Sequence, residues 1–259
     1  MTFDSAAPNA VGAAVGITGL INGVTITAID RRPNGGALYG LGTNNSLYTI
    51  DAATGAATFA STPATAPASG PLGFDFNPVA DRLRVVDSAG GSLRINVDTG
   101  ATIAHTPVAY GSGEPNFGAR PSIVGSAYTN NFATPATTAL YDIDSTLNIL
   151  ALQNPPNAGT LATVGGLGFD VGTNVGFDIS GTSGTAFLSD GVSSGTRLYT
   201  VNLATGLVGT VGTAGVVLLD IAAPVGTASV PAPASLLMLA TGGLGLLGVG
   251  RLRRKASAL

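Results

Sequence analysis

Short apolar segments alternate with turns rich in Gly, Asn, Asp and Pro along most of the chain. The clearest unit has apolar segments at residues 24–29, 37–41, 47–50 and 56–60, with turn-forming residues between them. Apolar segments this short, bounded by such turns, are typical of antiparallel strands. The pattern therefore predicts a four-stranded antiparallel sheet over residues 24–60, which is the form of a propeller blade.

The same unit recurs along the chain and predicts further blades at residues 72–104, 123 to about 164, and 175–212. A Leu-Tyr-Thr-Ile-Asp motif that begins at Leu47 returns in related forms at Leu93, Leu140 and Leu198. The intervals between these leucines are 46, 47 and 58 residues. A repeat of this length is typical of propeller blades.

Both ends of the chain carry pieces of a fifth unit. Residues 2–5 resemble the end of a third strand, residues 11–17 a fourth strand, and residues 216–224 a first strand with its Asp and Pro. The sequence thus predicts an all-β fold, a five-bladed β-propeller in which one incomplete blade is closed by both chain ends. Residues 1–10 lack the charged start and apolar core of a signal peptide, so we expect a truncated start.

The tail has three parts in a fixed order: a proline-bearing motif, an apolar segment at residues 236–250 and a basic cluster. The first and last parts contain Val230, Pro231, Pro233, Arg251, Arg253 and Arg254. This order resembles the PEP-CTERM sorting signal of bacterial surface proteins, although Ala232 stands where Glu is usual. The resemblance implies export and processing by an exosortase-like sorting protease or transpeptidase.

The length of the apolar segment agrees with a temporary anchor. As a helix it would span roughly 23 Å, less than the ~30 Å hydrocarbon core of a bilayer, and the basic cluster would stay on the cytoplasmic side. We therefore expect a propeller domain at 1–226, a linker with the sorting motif at 227–235, a hydrophobic transmembrane helix at 236–250 and a cytoplasmic tail at 251–259. The body would then be exposed at the cell surface or in the extracellular matrix.

Composition excludes several classes of function. The chain has no cysteine and one histidine, so it has no disulfides and no Cys/His zinc site. Four of its 11 basic residues lie in the tail, which leaves seven basic residues against 14 acidic ones in the body. Such a body would be repelled by nucleic acid.

Several local motifs of the body carry a family resemblance. They are Gly40-Leu41-Gly42, Gly73-Phe74-Asp75-Phe76-Asn77-Pro78, Tyr128-Thr129-Asn130-Asn131 and Gln153-Asn154-Pro155-Pro156-Asn157. With these motifs, residues 1 to about 225 resemble the bacterial family called domain of unknown function 4394. The resemblance implies an exported protein and assigns no activity.

Aspartates recur at the end of the first strand of the predicted units, as Asp30, Asp75, Asp178 and Asp220. They could form a carboxylate ring around a cation, or each could order the turn that follows it. We favour turn ordering, because a residue repeated in every blade usually serves the blade. No cofactor or metal is therefore expected.

Two further motifs are secondary candidates for chemistry. Asp142 and Asp144 would share one strand face, as two ligands of Ca²⁺ would, but no third acidic residue is near them in sequence. Residues 191–195 match Gly-x-Ser-x-Gly without the strand and helix that a nucleophile elbow requires. A Gly/Ser turn is the better interpretation of that second motif.

Three long connections, residues 61–71, 105–122 and 152–174, are predicted to join consecutive blades on one face of the ring. Long loops on a rigid scaffold commonly carry binding sites. The binding-face candidates are His105, Tyr110, Glu114, Asn116 and Arg120. We expect a non-enzymatic binding or structural role toward a polysaccharide or a surface protein. The alternative is a propeller-type hydrolase or lyase, Ca²⁺-assisted, that acts on extracellular polysaccharide.

Overall fold

A computed structural model of the chain describes residues 1–227, which form one compact unit. Their secondary structure is almost entirely β, and the single helical element is a 3₁₀ turn at Pro156–Ala158. The prediction of an all-β body is confirmed. The predicted helix at 236–250, the sorting motif and the basic tail lie outside the described residues. Within residues 1–227, no helix is long and apolar enough to cross a membrane.

The strands form four sheets, and the four main strands of each sheet are antiparallel and ordered as they follow in the chain. Blade one contains β1 (Ile26–Arg31), β2 (Leu38–Gly42), β3 (Leu47–Ile50) and β4 (Ala57–Ser61). Blade two contains β5 (Leu72–Asn77), β6 (Arg82–Asp87), β7 (Ser92–Ile95) and β8 (Thr102–Ala104).

The other two blades follow the same plan. Blade three contains β10 (Ile123–Tyr128), β11 (Leu140–Asp144), β12 (Ile149–Gln153) and β13 (Thr160–Gly166), with the short strand β9 (Ala109–Tyr110) parallel to β13 at its outer edge. Blade four contains β14 (Val175–Ile179), β15 (Ala186–Val192), β16 (Gly195–Val201) and β17 (Val208–Ala214). The described residues therefore have a propeller fold.

The core lies between the blades, and the first strand of each blade is innermost. Phe76 of β5 and Leu83 of β6 are fully buried among side chains of blade one and blade two. Each such side chain contributes about 1.5–3 kcal/mol by leaving water. β5 and β10 approach closely at Gly73, where a Cβ would collide with Ser126. The inner strands therefore converge around a common axis.

The prediction of a fifth blade is wrong, because residues 1–227 form four sheets. Residues 11–17 are largely exposed and form no strand; Thr18, directly after them, makes only an isolated bridge to Ala56 of blade one. Residues 216–221 also form no strand. The segment at 216–224, here called the closing segment, nevertheless follows blade four and bonds back to blade one. It takes the inner position that a fifth blade would have.

Two other sequence expectations need correction. The motif at Leu47, Leu93 and Leu198 lies on the third strand of its blade, but the copy at Leu140 begins β11, a second strand. The predicted long connection at residues 152–174 contains β13. Both errors arise because blade three has an insertion between its first and second strands, which shifts the later strands along the sequence.

Candidate functional site

Aspartates on the inner strands bind the backbone of the next blade. Asp30 of β1 accepts a hydrogen bond at Oδ2 from the backbone N–H of Phe76 on β5, at 2.8 Å. Asp75 of β5 accepts one at Oδ1 from the backbone N–H of Tyr128 on β10, at 3.2 Å. Each bond joins a blade to its successor, because the inner edge of a first strand has no other strand to pair with.

The closing segment completes the ring by the same means. Asp178 of β14 accepts a hydrogen bond at Oδ2 from the backbone N–H of Ala223. Asp220 of the closing segment accepts one at Oδ2 from the backbone N–H of Ile29 in β1, at 2.8 Å. Blade three has Ala127 at the corresponding place in its first strand. Four carboxylates therefore connect five segments around the axis.

Three of these aspartates also bind the residue directly after them, within the strand or the closing segment, and not the following turn that the sequence led us to expect. Asp30, Asp178 and Asp220 each accept a second hydrogen bond, at Oδ1, from the N–H of the residue that follows them, at 2.6, 2.6 and 2.8 Å. Asp75 differs, because the N–H of Phe76 already donates to Asp30. The sequence revealed the recurring residue but not its partner on the next blade.

Three of these side chains converge to form what we call the axial carboxylate cluster: Asp30, Asp75 and Asp178. Each offers one carboxylate oxygen within 4.8 Å of the others. All three are buried, with exposures of 1%, 0% and 1%. Oδ2 of Asp75 is also buried and has no hydrogen-bond partner, whereas the other two carboxylates have both oxygens bound.

Burial dominates the electrostatics of the cluster. It raises the pKa of Asp30 and of Asp75 well above the ordinary value of 3.8, and the nearby carboxylates raise both further. Burial also raises the pKa of Asp178 to about 6, against the opposing effect of its hydrogen bonds to Ala223 and Ile179. Within residues 1–227, none of the three ion pairs involves these groups. The cluster thus needs a proton or a cation to offset its mutual repulsion.

A small cavity opens at the start of the inner strands, with a volume of about 200 Å³. Its wall includes Ala28, Leu72, Val124 and Val175 from the four blades, and Asp220 from the closing segment. Asp220 is partly exposed there, and loss of hydration raises its pKa well above 3.8. Small-molecule sites usually measure ~300–1,000 Å³, so this mouth is better matched to water and ions.

Asp142 and Asp144 lie on β11, and each accepts a hydrogen bond from another residue of the sheet of blade three. Asp142 accepts a hydrogen bond from Ser126 Oγ at 2.6 Å, and Asp144 accepts one from Tyr110 Oη at 2.6 Å. Burial raises the pKa of Asp142 to about 7. Neither belongs to a group of three metal-ligating side chains within the part of the chain that the structure describes.

The binding-face candidates fall into two groups. Glu114 accepts hydrogen bonds from the backbone N–H and Oγ1 of Thr163, and Asn116 donates to Thr163 Oγ1 at 2.7 Å. Tyr110 is buried on β9. These contacts fix the loop at residues 111–120 against β13. The exposed side chains of the loop include Phe117, at 66% exposure, and Arg120, together with the smaller Ser112 and Pro115.

His105 lies apart from that loop surface, beside a buried cation that sequence reasoning missed. Arg84 is 2% exposed and donates to Ser92 Oγ at 3.0 Å and to Asn157 Oδ1 at 2.7 Å. Burial, with the charges of Arg84 and Arg94, lowers the pKa of His105. The sequence did not show that Arg84 would be a buried hydrogen-bond donor, because its partners Ser92 and Asn157 lie on other segments of the chain.

The comparisons with known proteins agree with this architecture. The chain belongs to the family described as domain of unknown function (DUF4394), whose model matches residues 1–222. None of the curated protein sequences matches it. The solved structure of a protein of unknown function from Bacteroides thetaiotaomicron is similar, with a TM-score of 0.52 and 17% identity over 75% of this chain and 53% of that one.

Hydrazine synthase from Kuenenia stuttgartiensis is also similar, with a TM-score of 0.43 and 15% identity over 76% of this chain and 51% of that chain. The chain thus spans about half the length of these solved structures. At 17% identity, the similarity to the Bacteroides thetaiotaomicron structure indicates a shared fold alone. Function must therefore be argued from the residues of this chain.

Proposed function

We propose that this chain is an exported, non-enzymatic β-propeller of the bacterial cell surface or extracellular matrix, which binds a partner through one end of its ring. The observation that supports the absence of enzymatic activity most directly is the hydrogen bonding of the carboxylates. The carboxylates of Asp30, Asp178 and Glu114 each accept hydrogen bonds from backbone N–H groups. Such groups hold a scaffold in place and are not free to act on a substrate.

The loop at residues 111–120 is the proposed contact surface. Glu114 and Asn116 fix it to β13, so its conformation is set before a partner arrives, which lowers the entropic cost of binding. Phe117 is 66% exposed, and an exposed aromatic ring near the cationic Arg120 suits the apolar face and hydroxyl groups of a sugar. Extracellular polysaccharide is therefore the partner to test first, and a surface protein is the other.

Binding of polysaccharide by the purified full chain tests this role. We expect Phe117→Ser and Arg120→Ala to weaken retention on an exopolysaccharide column by tenfold or more without a change in melting temperature. Phe59→Ser is the matched control, because Phe59 is 55% exposed on β4 of another blade. Equal retention of all variants would contradict the proposed surface, and retention only by a surface protein would assign the loop to that partner.

Export rests on the tail, which lies outside the described residues. In a host that contains an exosortase-like enzyme, the chain preceded by a signal peptide should yield a membrane-bound precursor and a shorter product cut near Pro231 to Pro233. Replacement of Arg251, Arg253 and Arg254 by Ala should reduce the shorter product. Intact-mass measurements that find only the uncut chain would contradict the sorting proposal.

The alternative is a propeller-type hydrolase or lyase, Ca²⁺-assisted, that acts on extracellular polysaccharide. The axial carboxylate cluster is the observation that favours it, since convergent carboxylates are common in catalysis. However, Asp30, Asp75 and Asp178 are at most 1% exposed, so a polymer could not reach them. Release of reducing ends or of unsaturated sugars by the wild type, lost in Asp75→Asn, would favour this alternative.

A further inference from the structure

We propose that the axial carboxylate cluster binds one divalent metal cation, Ca²⁺ in preference to Mg²⁺, through Asp30, Asp75 and Asp178. Such a cation would lie on the axis of the ring and hold blade one, blade two and blade four together. This inference does not depend on export or on the loop at residues 111–120. It concerns how the ring is stabilised.

The ligand set is the first support. Three carboxylate oxygens lie within 4.8 Å of one another. Two ligands of one Ca²⁺ can be separated by at most about twice its bond length of ~2.3–2.6 Å, so this spacing is within its reach. All three ligands are oxygens, which are the donors that Ca²⁺ prefers.

An unpaired buried oxygen is the second and independent support. Among residues 1–227, no N–H or O–H group donates a hydrogen bond to Oδ2 of Asp75, whose side chain is completely buried beside the carboxylate of Asp178. Buried polar atoms in native proteins almost always have a partner, which can be an ion. The oxygens of Asp30 and Asp178 that accept backbone N–H groups still have a free lone pair each. Asp75 thus supplies an open ligand position inside a ring of oriented carboxylates.

The charge balance is the third support. Within residues 1–227, no Arg forms an ion pair with Asp30, Asp75 or Asp178. Three carboxylates at this separation cannot all be ionised without a compensating positive charge. A divalent cation at the cluster would offset two of the three negative charges directly.

The enclosure of the site determines which cation fits. Mg²⁺ gives up its water molecules reluctantly and usually keeps several of them. The carboxylates of the cluster are at most 1% exposed, so an ion bound there would have little room for a water shell. Ca²⁺, which accepts dehydration and irregular geometry more readily, is therefore preferred.

Calcium binding by the purified full chain tests the proposal. After treatment with EDTA and desalting at pH 7.5, isothermal titration should give one Ca²⁺ per chain. Saturation with Ca²⁺ at a hundredfold excess over its Kd should raise the melting temperature by roughly 5–10 °C, and the same concentration of Mg²⁺ should raise it much less. Elemental analysis of the protein before EDTA treatment checks for an ion that is retained during purification.

Variants separate this site from other acidic groups. Asp75→Asn should reduce the calcium-dependent shift at least fivefold, and Asp30→Asn should do the same if Asp75→Asn fails to fold. Asp142→Asn is the matched control, because Asp142 is equally buried on β11, and it should keep the full shift. The proposal is overturned if the wild type binds no Ca²⁺, if Asp75→Asn binds it unchanged, or if binding is lost only in Asp142→Asn.

Discussion

The carboxylate of Asp30 on β1 binds the backbone N–H of Phe76 on β5, 46 positions further along the chain, at 2.8 Å. This bond lies between two blades, at the inner edge where neither strand has another strand to pair with. Through this bond, blade one is attached to the unpaired inner edge of blade two. Asp75, Asp178 and Asp220 repeat the arrangement around the axis.

Loss of an inter-blade aspartate should destabilise the ring. In Asp30→Ala, the N–H groups of Phe76 and Arg31 would lose their acceptor, at about 1–3 kcal/mol for a buried unpaired donor. Asp51→Ala is the control, because exposed Asp51 accepts only from Ala53 and Thr54 within its own turn. Urea unfolding should show a clearly larger loss for Asp30→Ala. Equal losses would mean that aspartates in this fold act only on local turns.

Without metal ions, the protein should be more stable in mild acid than at pH 8. The pKa of Asp178 is raised to about 6 and that of Asp142 to about 7, from an ordinary value of 3.8. The pKa values of Asp30, Asp75 and Asp220 are raised as well. Stability from a raised carboxyl pKa is fully present below the unfolded value and is lost as the pH rises through the folded value. Urea unfolding in EDTA should therefore show a decrease on the order of a few kcal/mol between pH 4.5 and pH 8.

Nearby charged groups also affect how the stability changes with pH. Arg31 opposes the rise of the Asp178 pKa, and Arg84 opposes that of Asp142. Asp81 has a lowered pKa because of Arg32, so it contributes stability that is lost in stronger acid. Asp142→Asn should reduce the decrease between pH 4.5 and pH 8. A stability that rises steadily over this range would contradict protonated carboxyls in the ring.

Arg32 should stabilise the junction of blade one and blade two more than an exposed ion pair would. Its guanidinium contacts both carboxylate oxygens of Asp81, at 2.8 and 2.7 Å, and both of Asp98, at 2.7 and 3.0 Å. Lys cannot reproduce this planar geometry. We expect Arg32→Lys to lower the free energy of unfolding by about 1–2 kcal/mol. Arg197→Lys is the control, since Arg197 is half exposed and 3.9 Å from Asp190, and a loss of similar size there would refute the special role of Arg32.

The phenol of Tyr110 should strengthen the contact between β9 and the rest of blade three. Tyr110 donates to Asp144 Oδ2 at 2.6 Å, and burial raises the pKa of Tyr110 above its ordinary value. Tyr110→Phe would leave a buried acceptor unpaired, at about 1–3 kcal/mol. Tyr141→Phe on the same blade is the control, because Tyr141 is only partly buried. Thermal unfolding in which both variants match the wild type would show that this hydrogen bond contributes nothing.

The strands could be predicted from the sequence because their signals are local. β3 has the bounds that the apolar segment at 47–50 predicts, and its neighbours differ by one or two residues. Local sequence signals could not show whether a fifth blade forms. Residues 216–221 have the composition of a strand, but a strand needs a partner, and residues 1–227 provide none there.

The site could be predicted only in part. The recurrence of Asp30, Asp75 and Asp178 was visible, because repeated residues stand out against a repeated motif. Their hydrogen-bond partners could not be predicted, because those partners are backbone N–H groups on other segments, which no residue type identifies. The same holds for Arg84, whose partners Ser92 and Asn157 come from other segments.

Residue-resolved hydrogen exchange by NMR tests the inter-blade aspartates most directly. In the wild type, the amides of Phe76 and Tyr128 should be protected as strongly as amides within the sheets, although they lie on inner strand edges. In Asp30→Ala, the Phe76 amide should exchange at least tenfold faster relative to its sheet neighbours, while Tyr128, which is bound by Asp75, stays protected. Rapid exchange of Phe76 in the wild type, or no selective change in the variant, would contradict the claim that these aspartates join the blades.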